Sequence, residues 1–326
     1  MNNHKYCFTN EPETSMHVSN CFKQFSRLEE LADIYKKQVI VTTHWYGFLP
    51  IAQSGNMQHI QSDDGNVSIS TFSLSNIMES RRSFPDVIDL KSMYDLATSI
   101  ITYMRFHKDY AWIICEGSDD KKYLESVLNS DEYMILPVGG CGNVVKLYNL
   151  LYSPLTEKNE DNSGKCLFLI DTDLKMKHVT KPYEHSATKA KDIILRRLQI
   201  ENGEVKLFDP TIPNTYSQTE MEDCLDKEIY FEALKACIEQ SAADDLISIM
   251  KCFHLNDEAT TSVLKGDCAC IIPNSIEMLK EKSRIISFAE DSANKYAVAR
   301  KYKELCQEKE EYPQHLLKSV IENEWK

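Results

Sequence analysis

Two acidic groups in the chain have the residue types and spacing of a metal-assisted site. One is Glu116-Gly117-Ser118-Asp119-Asp120, directly after the apolar run Ala111–Cys115. The other is Asp171-Thr172-Asp173, directly after the apolar run Cys166–Ile170. Side chains alternate faces along a strand, so Asp-x-Asp at a strand end sets both carboxylates on one side. A glutamate ending an adjacent strand then faces them. Three converging carboxylates repel one another, and a hard divalent cation that prefers oxygen, Mg2+ or Mn2+, relieves the repulsion. An ion held this way polarises a phosphate and lowers the pKa of an attacking water. The predicted ligands are Glu116, Asp171 and Asp173, with Glu116 also available as a general acid or base and Asp120 in support. Taken singly, each acid also fits a solvated strand end or a helix cap, and for Asp119 the cap is the better reading.

The elements that must position these groups read as an alternating region over 108–235. Ala111–Cys115, Tyr133–Val138 and Cys166–Ile170 read as strands, and Asp119–Leu128 and Asn143–Tyr152 as helices. Gly139-Gly140-Cys141-Gly142 is a turn, and 157–164 a polar loop. Strand-helix-strand-helix-strand at this spacing predicts an α/β fold with a parallel sheet flanked by helices. Ligands of such sheets collect outside the carboxyl ends of the strands, where the acids lie. Residues 1–82 hold two short apolar segments, Tyr6–Phe8 and Val39–Thr42. Between them Phe22, Phe25, Leu28, Leu31 and Tyr35 recur at helical spacing. Asp64-Gly65 predicts a hairpin turn. A helical connector covers 83–107, its predicted helix running roughly from Leu90 to Arg105, with Pro85 before it and Asp89 as its predicted N-cap. Residues 236–326 read as helical and highly charged. Cys252-Phe-His254 and Cys268-Ala-Cys270 lack the spacing of zinc hairpins and read as ordinary thiols.

The ordered set of acids resembles the Toprim domain, found in topoisomerases, bacterial primases and nucleases of the OLD family. The resemblance rests on Glu116-Gly117-Ser118-Asp119-Asp120, on Pro137-Val138-Gly139-Gly140-Cys141-Gly142-Asn143 and on Asp171-Thr172-Asp173. Glu116, Gly117, Asp120 and Leu124 fit the E-G-x-x-D-x-x-x-L opening of the defence-nuclease type. Glu220-Met221-Glu222-Asp223-Cys224-Leu225 resembles the acidic segment that follows the Asp-x-Asp strand in Toprim nucleases. The resemblance implies catalytic roles for Glu116, Asp120, Asp171, Asp173 and Glu222. It also implies Mg2+ or Mn2+ as cofactor and a homo-oligomeric assembly.

Two segments of 1–82 resemble parts of an ABC-type ATPase. Tyr6-Cys7-Phe8-Thr9-Asn10-Glu11-Pro12-Glu13 is similar to a Walker B strand and the loop after it. Val39-Ile40-Val41-Thr42-Thr43-His44 is similar to the switch-histidine strand. Glu11 and His44 fit the water-aligning and γ-phosphate-sensing residues, while Asn10 stands where the metal-supporting Asp belongs. The chain has no G-x-x-x-x-G-K-[ST] phosphate loop. It is therefore expected to be a partial ABC-type ATPase segment joined to a Toprim domain, with ATP entering only through a partner or a missing N-terminal half.

Charge narrows the function further. Acids outnumber Lys and Arg by 50 to 37 in 326 residues, which argues against coating nucleic acid by bulk charge. Between Lys165 and Ile200 the balance inverts, eight cations to four acids. Lys175, Lys177, Lys181, Lys189, Arg196 and Arg197 are the predicted contacts to a phosphate backbone, and a solvated helix face around Lys189–Arg197 is the plain alternative. The absence of an apolar N-terminal core or a membrane-length run predicts a cytoplasmic protein with no membrane partner. The expected function is a metal-dependent endonuclease of the Toprim class, an antiphage effector that works with an ATPase. The alternatives are an RNA- or tRNA-cleaving effector, or a non-catalytic regulatory subunit docked on a partner ATPase.

Overall fold

The computed structural model describes residues 6–52, 54–63, 65–74, 86–107, 109–156, 164–172, 193–210, 218–241, 243–266, 268–308 and 316–324. They form two compact units that interleave in sequence. One gathers what is described up to Ala111, within Leu136–Cys166, and Ile193. The other gathers Trp112–Ile135, the strand after Cys166, and everything described from Ile194 onward.

In the first unit, β1 (Tyr6–Asn10) and β2 (Gln38–Thr42) pair in parallel, Tyr6 opposite Gln38 and Asn10 opposite Thr42. Their connection carries α1 (Cys21–Asp33), the helix that a parallel pair requires. A hairpin follows, β3 (Asn56–Asp63) with β4 (Asn66–Ser73). Its two-residue turn includes Gly65 at φ +84°, a backbone conformation that glycine adopts at little cost. The long helix α2 (Asp86–Phe106) buries Ile88, Met93, Leu96, Ala97, Ile100, Tyr103 and Met104, a helical stripe. It begins at Asp86, so Asp89 lies inside the helix and is not its N-cap.

The second unit is built on a sheet of five strands. β5 (Ala111–Cys115), α3 (Ser118–Val127), β6 (Tyr133–Pro137), α4 (Cys141–Thr156) and β7 (Cys166–Ile170) follow in turn, α4 belonging to the first unit. β8 (Ile193–Glu201) and β9 (Glu204–Phe208) complete the sheet in the order β6-β5-β7-β8-β9. β5 and β7 are apolar throughout because they lie inside the sheet with both faces covered. The fold is α/β as predicted, but the sheet is mixed and not wholly parallel. β9 folds back antiparallel on β8, with Glu201 opposite Glu204 and Asn202-Gly203 between them, both at positive φ. That is the two-residue hairpin turn Asn-Gly favours. Ile193 to Arg197 is accordingly strand and not a helix face, while Lys189 lies outside the described residues.

Beyond the sheet come α5 (Lys227–Gln240), α6 (Asp244–Met250), β10 (Phe253–Leu255), β11 (Ile271–Pro273), α7 (Lys282–Glu290), α8 (Ser292–Glu308) and α9 (Leu316–Asn323). The predicted all-helical region thus includes an antiparallel strand pair, β10 with β11. α8 packs on α3 and α5, with Tyr302 set edge-on to Tyr123 and the Lys303 ammonium 2.7 Å from Glu125. All eleven cysteines are free thiols. Among the described residues no helix is long and apolar enough to cross a membrane.

Asp226 caps α5, its Oδ1 accepting from the backbone N–H groups of Glu228 and Ile229. Replacing it with Ala leaves those donors without a side-chain acceptor. Asp226→Ala should lower the unfolding free energy by about 1 kcal/mol, read from urea titrations of wild type and variant. An unchanged midpoint and slope would show that the cap contributes nothing.

Candidate metal centre

The site grows from the turn between β5 and α3. The Asp120 carboxylate turns back and accepts from the backbone N–H of Gly117 at 2.8 Å and of Glu116 at 3.1 Å. This makes Asp120 the side chain that closes the start of α3, a role suited to an acid in the first helical turn. Asp119 is thereby released from capping. Gly117 leaves room for it, because a Cβ at that position would collide with Asp119 Oδ1.

Glu116 reaches across to the end of β7. Its Oε1 accepts from the backbone N–H of Asp171 at 2.9 Å, which locks the two strand ends together. The buried Thr172 points the other way and donates to the Leu198 carbonyl, the alternation a strand dictates. Thr172 also exchanges both backbone hydrogen bonds with Thr219, at 2.8 and 3.0 Å. That isolated bridge carries the segment Glu220–Cys224 to the same end of the sheet. Within it, Asp223 accepts from the Glu220 N–H, and Ser262 donates to the Glu222 carbonyl while accepting from the Leu225 N–H.

The carboxylates of Asp119, Asp120 and Glu222 offer oxygens within 4.8 Å of one another. Among the described residues this is the single group of three or more His, Cys, Asp or Glu side chains with metal-holding spacing. Lys295 of α8 bonds to Glu220 at 2.5 Å and to Glu222 Oε1 at 2.7 Å. Glu222 is only 9% exposed, and its second oxygen, Oε2, is buried without a hydrogen-bond partner.

The electrostatics follow from burial first and mutual repulsion second. Burial raises the Asp120 carboxyl well above its ordinary range, Asp119 adding to the effect and the Gly117 N–H opposing it. Asp171, though part of its surface is open, is likewise raised by burial and then by Asp120, Glu116 and Glu222. Burial lifts Glu222 to about 7 despite Lys295, and Asp223 to about 6 despite the Glu220 N–H. Burial also works to raise Glu220, but the Lys295 ammonium outweighs it and holds Glu220 below the usual carboxylate range.

The structure therefore brings Glu116, Asp120, Asp171 and Glu222 to one sheet end and adds Asp119, read from sequence as a cap. Asp173 lies outside the described residues, as do Lys175, Lys177, Lys181 and Lys189. Arg196 is engaged by Glu324 at 2.7 Å. Arg197 is 1% exposed and donates to Gln199, so it is not on a surface a phosphate backbone can touch. A strand alternates its faces, and the inward position falls to Arg197.

In the first unit, Glu11 and His44 meet at the ends of β1 and β2, His44 Nε2 standing 3.4 Å from Glu11 Oε1. Glu11 adopts φ +42°, and Glu13 ties the two ends by accepting from the Thr43 hydroxyl and the His44 N–H, each at 2.7 Å. His44 remains exposed. His254 Nδ1 lies 2.7 Å from Asn274 Oδ1.

Compared with protein-family models, curated proteins and solved structures, the chain matches none.

Two predictions follow from this geometry. Glu222 ionises near 7 when folded against an ordinary 4.5, so the folded state holds a proton that the unfolded chain has already released. Without divalent metal, stability falls as pH rises from about 5 to about 8, and Asp223 acts with the same sign. Melting temperatures in EDTA should show this fall, and Mg2+ should reverse it most at the alkaline end. A flat profile would contradict the buried cluster. Separately, Gly117→Ala should push the Asp119 carboxylate away and weaken Mn2+ binding by about tenfold or more in calorimetry, while α3 stays folded by circular dichroism.

Proposed function

We propose that the chain is a divalent-metal-dependent phosphodiesterase acting on nucleic acid, in the manner of Toprim nucleases, and that an ATPase partner regulates it. The observation that carries this reading is the buried, unpartnered Glu222 Oε2 beside the carboxylates of Asp119 and Asp120. A buried carboxylate oxygen without a donor is costly, and a hard cation among three carboxylates removes the cost. The donor set is all oxygen, which suits Mg2+ or Mn2+ over a thiol-loving metal.

Asp119, Asp120 and Glu222 would hold the ion. When bound there, it supplies positive charge to a phosphate oxygen and acidifies a water. The chain's own residues do the positioning. Asp120 fixes the β5–α3 turn, so Asp119 and Glu116 keep a set separation. Glu116 is oriented by the Asp171 N–H, which keeps both acids at the site. Lys295 takes up Glu222 Oε1 and Glu220, sparing the site some of its repulsion. The Glu11–His44 pair, with Glu13 behind it, supports coupling to an ATPase whose phosphate loop this chain lacks.

The test is cleavage of plasmid DNA and of total tRNA, side by side, with Mg2+, Mn2+ or EDTA. Activity should vanish in EDTA and fall by about a hundredfold or more in Asp119→Asn and Glu222→Gln. Cleavage of tRNA alone would make RNA the substrate class. Variants that cut both substrates as wild type does would overturn the assignment.

A further inference from the structure

Many cations of this acidic chain are neutralised in ion pairs, as Lys295 is by Glu220 and Glu222, Lys303 by Glu125, Arg196 by Glu324 and Lys265 by Glu290. A pocket in the first unit departs from this. It has a volume of about 370 Å3 and is lined by Met16, Asn20, Lys23, Gln24 and Arg27 with Tyr103 and His107. Among the described residues no carboxylate lines it. Lys23, Gln24 and Arg27 fall on one face of α1, Lys23 and Arg27 one turn apart.

The Lys23 ammonium bonds to the Tyr103 hydroxyl at 2.5 Å and stands 4.5 Å from the centre of that ring. Its partner is thus a neutral phenol and not an acid. Arg27 makes no ion pair among the described residues. Tyr103 is buried and stacks on His107 with ring centres 4.2 Å apart, which fixes the pocket wall from α2. Two cationic side chains and two side-chain amides therefore face one concavity with no counter-charge among the described lining residues. Such an arrangement favours a ligand with several anionic oxygens, since guanidinium offers a planar fork and ammonium a point charge to phosphate. The volume lies at the low end of small-molecule pockets, about 300–1,000 Å3, and suits a ligand no larger than a mononucleotide.

We propose that this pocket binds a phosphate-bearing small molecule of about nucleotide size. The site is separate from the acidic cluster, and its binding does not require a divalent metal. The experiment titrates ADP and, in parallel, pyrophosphate into the full chain in EDTA by calorimetry. Wild type is compared with Arg27→Gln, Lys23→Gln and Glu222→Gln, each checked by circular dichroism. At least one probe should bind wild type and Glu222→Gln equally, and lose about tenfold or more in affinity in the α1 variants. Arg27 is exposed, so its variant keeps the test decisive even if Lys23→Gln fails to fold. Several results would overturn the proposal: no binding of either probe at millimolar concentration, equal affinity in wild type and Arg27→Gln, or loss of binding in Glu222→Gln. The proposed nuclease activity is measured separately and survives or fails on its own.

Discussion

The structure of the second unit turns on carboxylates held close together inside protein. Asp119, Asp120, Asp171, Glu116 and Glu222 meet at one end of the sheet, and burial makes the charges of Asp120, Asp171 and Glu222 hard to sustain. Lys295 is the one side-chain cation bonded to this group among the described residues, and it serves Glu220 as well as Glu222. Removing one partner from a buried charged network leaves the rest uncompensated, at a cost of several kcal/mol. The helices and strands around the site can be understood as what keeps these acids together.

Three devices do this. Asp120 accepts two backbone N–H groups and turns the chain sharply after β5. Glu116 bonds to the backbone of Asp171, joining the ends of two neighbouring strands. The Thr172–Thr219 bridge carries Glu222 in from far along the chain, and α8 packs on α3 and α5 to deliver Lys295. The arrangement places the acids at the carboxyl ends of the strands, where ligands of such sheets collect.

Much of this was legible in the sequence because it rests on short-range rules. The two apolar runs ending in acids are buried strands, and their terminal Glu116 and Asp171 do meet. Asp119 was harder to read. Two adjacent acids open α3, and only one can close the turn; the adjacency in Asp119-Asp120 was the available signal that the other is free. Glu222 was named through the resemblance of Glu220–Leu225 to an acidic segment, but the Thr172–Thr219 bridge that brings it to the sheet end is encoded in no local pattern. The β8–β9 hairpin was written in Asn202-Gly203, but the basic Arg196-Arg197 pair drew the segment toward a surface reading. Arg197 is instead inside, beside Gln199. The strand pair β10–β11 lacked any strong turn signal between its short strands.

The central claim is that the Asp119–Asp120–Glu222 cluster is completed by a hard divalent cation. The direct measurement is an anomalous difference map from crystals of the chain grown with Mn2+. The account predicts a peak within coordination distance, about 2.0–2.3 Å, of oxygens from Asp119, Asp120 and Glu222, with Glu222 Oε2 among them. A map with Mn2+ bound only elsewhere, or with the three carboxylates unliganded at saturating Mn2+, would contradict it.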